Sequence, residues 1–193
     1  MTTLLPPRPV LDGHGIRLRP LVSTDAAAMF SLTQDTETAR LTGSLHPIDE
    51  AMVHAHCDRV QTATDRIDYA ITCPPDPAFA GEVVLNCIDW GQRSANFRIM
   101  LAGPAFYGRG IGTAATRLLL AHGFTALHLH RIELEVFAFN PRAQRSYAKA
   151  GFTVEGVRRD ALWWDGAFHD AVIMSILQSE FLAGPDAPAV VTA

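Results

Sequence analysis

The residues of this chain best suited to chemistry are three closely spaced glycines, a tyrosine, an asparagine and a strand glutamate. The stretch Tyr107-Gly108-Arg109-Gly110-Ile111-Gly112-Thr113 lies between the strand-like Phe97-Arg98-Ile99-Met100-Leu101 and a segment in which Ile111, Ala114, Ala115, Leu118 and Leu119 recur at helical spacing. Glycine tolerates left-handed dihedrals and close ligand approach, and the first N–H groups of a helix lack intrahelical partners at the positive end of its macrodipole. A phosphate is stabilised there, so Gly108, Arg109, Gly110, Ile111, Gly112 and Thr113 form the candidate site for a phosphorylated cofactor. Two better-known phosphate loops do not fit. A mononucleotide loop needs four residues between its glycines and then Gly-Lys-Ser/Thr, and no lysine follows here. The dinucleotide fingerprint needs a third glycine where Thr113-Ala114-Ala115 stands, and it follows a first strand rather than lying mid-chain. A glycine triplet by itself also reads as turn and cap chemistry.

A second segment narrows the choice. Asn140-Pro141-Arg142-Ala143-Gln144-Arg145-Ser146-Tyr147-Ala148-Lys149-Ala150-Gly151-Phe152 follows the strand-like Arg131–Phe137, with Asn140 placed to cap a helix, Pro141 at its first position and Gly151 at its end. Together the glycine loop and the Asn140–Phe152 segment resemble the GNAT superfamily of N-acetyltransferases, and within it the ribosomal-protein N-terminal and spermidine acetyltransferase branch. Arg17-Leu18-Arg19-Pro20-Leu21 is similar to the family's opening strand, and Asp165-Gly166-Ala167-Phe168-His169-Asp170 to its closing hairpin. Tyr107 stands where the family often carries Gln or Arg.

The resemblance implies an α+β fold in one domain: a mixed, mostly antiparallel central sheet flanked by helices, with a splayed parallel strand pair holding the cofactor. It implies acetyl-CoA as that cofactor, with its diphosphate on residues 108–113. The acceptor is then a primary amine, either a protein N-terminal α-amine or a small polyamine-like molecule. Transfer from a thioester to an amine requires a deprotonated amine, aligned reactants, a polarised carbonyl and a protonated leaving thiolate. Backbone groups of Ile99, Met100 and Leu101 can hydrogen-bond the peptide-like pantetheine arm as another strand would. In the resembled family the counterpart of Asn140 contacts that arm, and Tyr147 matches the tyrosine that protonates the thiolate. Glu135 lies where several N-terminal acetyltransferases carry a catalytic glutamate. It shares a strand face with Glu133, opposite Ile132, Leu134 and Val136, and an ion-paired carboxylate with water as the base is the other reading. A non-catalytic acyl-CoA sensing module and an aminoglycoside-type acetyltransferase are the competing functions. The latter needs an acidic cleft, and the acids Asp35, Glu37, Asp49, Glu50 and Asp165 are scattered.

The elements that must position these groups fit one domain of 193 residues, 48% hydrophobic and 19% charged. A net charge of -4 argues against bare nucleic acid as a partner. Three cysteines, Cys57, Cys73 and Cys87, without Cys-x-x-Cys spacing suggest neither a disulfide framework nor a zinc knuckle. His54 and His56 are two apart on an expected helix, unlike an i, i+4 metal pair, so no metal site is expected. No targeting or membrane-spanning stretch is evident, and a cytoplasmic location is expected. Residues 1–12 read as an extended arm, 13–182 as the domain and 183–193 as a loose tail. Within the domain the sequence predicts a strand at 16–19, a helix through Ala26–Leu32 capped by Ser23 or Thr24, a loop from Thr36 to His46 and a helix from about Asp49 through Val60. Strands follow at 69–72 and 81–90, and Asp165-Gly166 is placed in a type I′ turn between strands. Trp163, Trp164 and Phe168 mark a face for core packing or a homodimer contact.

Overall fold

The protein is described from a computed structural model covering residues 8–44 and 46–184. Eight strands form one sheet in the order β1-β2-β3-β4-β5-β6-β8-β7. They are β1 (Leu11–Gly13), β2 (Ile16–Pro20), β3 (Ile67–Cys73), β4 (Asp76–Asp89), β5 (Ser94–Leu101), β6 (Arg131–Phe137), β7 (Thr153–Trp164) and β8 (Ala167–Leu177). Helices α1 (Ala26–Thr33), α2 (Thr36–Thr42) and α3 (Glu50–Val60) lie between β2 and β3. Helix α4 (Ile111–Thr125) joins β5 to β6, α5 (Pro141–Lys149) joins β6 to β7, and α6 (Gln178–Ala183) follows β8.

Strand alternation gives the sheet two covered faces. On one, Val83, Leu85, Phe97 and Ile132 pack with Ala115, Leu119 and Phe124 of α4. On the other, Ala70 packs with Met29 of α1 and with Val53, Cys57 and Val60 of α3. All ladders are antiparallel except β5 with β6, which pair in parallel only at Ser94↔Arg131, Ala95↔Ile132 and Asn96↔Glu133. Beyond these positions β5 stays with β4 as far as Gly81↔Leu101, and β6 stays with β8 as far as Phe137↔Ala171. Each strand is held by its outer neighbour, so the sheet opens between them. The close approach of β4 and β5 needs Gly81, because a Cβ there would lie 2.2 Å from the carbonyl oxygen of Met100, at φ 148°.

Four expectations are corrected. Residues 36–42 are not loop but helix α2, capped by Asp35 accepting from the Thr38 N–H at 2.7 Å and closed by Gly43 at φ 69°. Ser23 and Thr24 do not cap α1. Ser23–Asp25 is a 3-10 turn in which Asp25 accepts from the Val22 N–H at 3.0 Å and pairs with Arg19 at 2.6 Å. The arm is tied down from Arg8, whose guanidinium donates to the carbonyls of Val60, Ala63 (2.9 Å) and Arg66 (3.2 Å), and Leu11–Gly13 is a strand rather than arm. Ala183 closes α6 rather than opening a tail. The remainder of the expected arm (1–7) and tail (185–193) lies outside the described residues. Asp165 and Gly166 both have positive φ, at 48° and 77°, as the hairpin turn between β7 and β8 requires.

Candidate active site

The opening between β5 and β6 is a cavity of about 1030 Å³ that passes from the α4–α5 side of the sheet to the α2 side. Ile99, Met100, Leu101, Gly108, Gly110 and Gly112 line it, with Thr113, Glu135, Asn140 and Tyr147. Its wall on β5 is bare backbone. The Ala102 N–H donates to the Ala80 carbonyl at 2.8 Å. In antiparallel alternation that anchor turns the backbone of Met100 and Arg98 toward β4 and the backbone of Ile99 and Phe97 toward the gap. Leu101 also faces the gap, although its carbonyl already accepts from Gly103 at 2.7 Å. Ile99 is therefore the main edge position for an extended, amide-bearing ligand, and Met100 offers its side chain instead.

At one end of the gap the glycine loop leads into α4. Gly108 (φ 72°) and Gly110 (φ 81°) are left-handed with open space where a Cβ would stand, so ligand atoms can approach the main chain. The Thr113 and Ser146 hydroxyls, 2.8 Å apart, tie the start of α4 to α5. Arg142, Arg145 and Lys149 of α5 line the same end, giving a cationic rim that suits phosphate. Arg142 stacks over the Tyr107 ring at 3.9 Å, which gives that aromatic a use in place of a polar side chain. Two predicted residues do not bring their side chains here. Ile111 is buried in the core beneath α4, leaving only its backbone for a ligand. Arg109 is turned back, donating to the Ala105 carbonyl at 3.3 Å with its guanidinium over Phe106.

In the middle, Asn140 caps α5 by accepting the Ala143 N–H at 3.1 Å, and its side-chain NH2 makes no hydrogen bond among the described residues. Tyr147 packs edge-on against Phe97 and Phe152, with ring centroids 6.0 Å away in each case. Burial pushes its phenol up to about 12, with the positive charge of Arg98 opposing the shift. The hydroxyl is thus a proton donor at neutral pH. From the opposite face of the sheet Glu135 reaches the gap, ion-paired with Arg158.

Sequence reasoning passed over the rest of that end. Asn86, Asn96, Arg98 and Arg158 line the cavity beside Glu133, as do Thr38, Leu41 and Thr42 of α2. Alternation on β5 and β6 put Asn96, Arg98, Glu133 and Glu135 on one face, and that was the available signal. A half-exposed polar strand face reads as solvated until the gap is seen.

A separate polar cluster lies outside the cavity lining. His56 of α3 approaches Asp68 at 3.7 Å and the buried Glu82 at 3.8 Å, with Arg66 donating to both Asp68 oxygens at 2.6 and 2.8 Å. These contacts hold the imidazole proton up to about 9. Burial pushes the Glu82 carboxyl up, whereas at Asp68 the contacts with His56 and Arg66 outweigh burial and hold the carboxyl down. Histidine spacing alone did not expose this grouping, because its other members come from β3 and β4.

Residues 16–153 match the family model for the acetyltransferase (GNAT) domain. The spermidine N(1)-acetyltransferase of Escherichia coli (strain K12) is 30% identical over 177 residues, covering 92% of this chain and 94% of that protein. The putative ribosomal N-acetyltransferase YdaF of Bacillus subtilis is 33% identical over 106 residues, 55% of this chain and 57% of that protein. Among solved structures, the spermidine N-acetyltransferase from Vibrio cholerae in complex with CoA and spermine superposes with a TM-score of 0.82 at 25% identity, covering 88% of this chain and 99% of that one. The splayed strands, the glycine loop and these matches agree: the chain belongs to the GNAT acetyltransferase family.

Proposed function

We propose that the protein transfers the acetyl group of acetyl-CoA to a primary amine, with the reaction centred in the β5–β6 gap. Acetyl-CoA supplies the activated acetyl group as a thioester. Backbone amides of residues 108–113, together with Arg142, Arg145 and Lys149, hold its diphosphate, and the rim's positive charge fits that role. The edge backbone at Ile99, helped by the Leu101 N–H and the Asn140 NH2, aligns the pantetheine arm and offers an amide to the thioester carbonyl. Tyr147 donates its proton to the departing sulfur, since its phenol stays protonated at neutral pH. Glu135 orients the attacking amine from the other face. Its carboxylate is engaged by Arg158, so the amine proton leaves to water.

The observation that carries this reading is that a donor phenol and a carboxylate reach one gap from opposite faces of the sheet, beside a bare strand edge and a glycine-lined helix N-terminus. The names of the relatives favour a polyamine or a protein amine as acceptor. The exposed pair Trp163 and Phe168, with ring centroids 4.6 Å apart on the β7–β8 hairpin, is where we place a contact between two copies of the chain. The test is free-thiol release from acetyl-CoA with a panel of primary amines. Release with at least one amine, linear in enzyme, is expected; no release with any of them would contradict the proposal.

A further inference from the structure

The charges at the acceptor end of the gap are unevenly partnered. Two carboxylates line the cavity, Glu133 and Glu135. Both are already held, Glu133 by Arg131 at 2.7 Å and Glu135 by Arg158. Arg98, in contrast, lines the same cavity, is exposed, and makes no hydrogen bond or ion pair among the described residues. Alternation from the last β5–β6 pair, Asn96↔Glu133, places Arg98 and Glu135 two residues further along each strand, on the same face, across the gap from one another. The charge of Arg98 is also felt at the Tyr147 hydroxyl. An amine seated between Glu135 and Tyr147 therefore shares the cavity with a guanidinium that has no partner among the described residues.

A polyamine is a poor match for such a surface, since both carboxylates that line it among the described residues are already paired and the charge of Arg98 repels an ammonium group. We infer that the acceptor is a primary amine carrying a carboxylate, and that Arg98 is the residue that binds it. A guanidinium takes a carboxylate through two parallel N–H···O bonds and so fixes both the position and the direction of the attached amine. The inference rests on the acetyl-transfer reading of the site and selects among its acceptors. Two sources share this chemistry: a free amino acid, and a peptide whose first residue is acidic.

The experiment compares kcat/KM at saturating acetyl-CoA for acceptors matched except for the carboxylate. The arms are alanine against ethylamine, the peptide Asp-Ala-Ala-amide against Asn-Ala-Ala-amide, and spermidine. The wild-type chain should favour the carboxylate member of one pair by about 10- to 100-fold, and the pair that shows the preference names the source. In Arg98→Gln that ratio should fall to about one, chiefly through KM, while Arg98→Lys keeps part of it. Spermidine or the neutral members turning over fastest in wild type would overturn the inference, as would a ratio that survives Arg98→Gln. An equal fall of kcat on every acceptor would place Arg98 on the reacting carbonyl instead and overturn it too. Absence of thiol release with any amine would remove the acetyl-transfer reading, and this inference with it.

Discussion

Gly110 sits at φ 81° at the start of α4, with nothing within 4 Å of the position a Cβ would take. An alanine there meets no neighbour in the fold, so its cost to folding is confined to about 1–2 kcal/mol of left-handed strain. Its methyl group would instead occupy the space through which a diphosphate reaches the amides. Gly110→Ala is therefore expected to fold with a modestly lowered midpoint and to lose about tenfold or more in CoA affinity by calorimetry. Unchanged affinity would remove the loop from the cofactor site. Residue by residue, the sequence was legible where a motif fixes both type and spacing, as with the glycines, Asn140 and Tyr147. At Arg98 alternation gave the strand face and nothing more, because a lone cation on a strand carries no signal of its role. What distinguishes Arg98 is a missing partner, and partners belong to the assembled sheet.

Among the elements, α3 shows how a helix is seated on a polar part of a sheet. Its apolar face buries Val53, Cys57 and Val60, and His56 extends between them to Asp68 and Glu82. The raised His56 pKa, from 6.5 to about 9, means that the folded chain binds this proton more tightly than the unfolded one. Its stabilising contribution is then complete below pH 6.5 and is lost as pH rises through 9, and the raised Glu82 carboxyl acts in the same direction. Solvent screening at this partly exposed ring and the Arg59 guanidinium 3.2 Å from its other nitrogen reduce the contribution to on the order of 1–2 kcal/mol. Urea midpoints should fall further between pH 6.5 and 9.5 in wild type than in His56→Gln. Parallel pH dependences would show that the imidazole stays neutral. Helix α3 was readable from Asp49 and its apolar spacing, whereas α2 was not: at seven residues it has no periodicity, only the Asp35 cap and Gly43 stop.

Over the whole molecule, function follows from a sheet that fails to close. β4 and β8 hold β5 and β6 apart after three residue pairs, and the two halves place unlike groups around one gap: a cationic, glycine-lined end, a bare strand edge, and a face with Glu135 and Arg98. The longer strands and the closing hairpin could be anticipated from alternation and turns, β1 could not, and the family resemblance supplied the mostly antiparallel order and the splay. Which polar side chains border the gap depends on where the β5–β6 ladder stops, a register detail that no local pattern encodes. Among the described residues no helix is long and apolar enough to cross a membrane. The central claim is that this gap delivers a thioester to the Tyr147 hydroxyl. The most direct measurement is acetyl transfer by Tyr147→Phe, followed as thiol release, with CoA affinity determined on the same preparation. The account predicts that kcat falls about 10²- to 10³-fold while CoA affinity stays within about twofold. Turnover equal to wild type would contradict it.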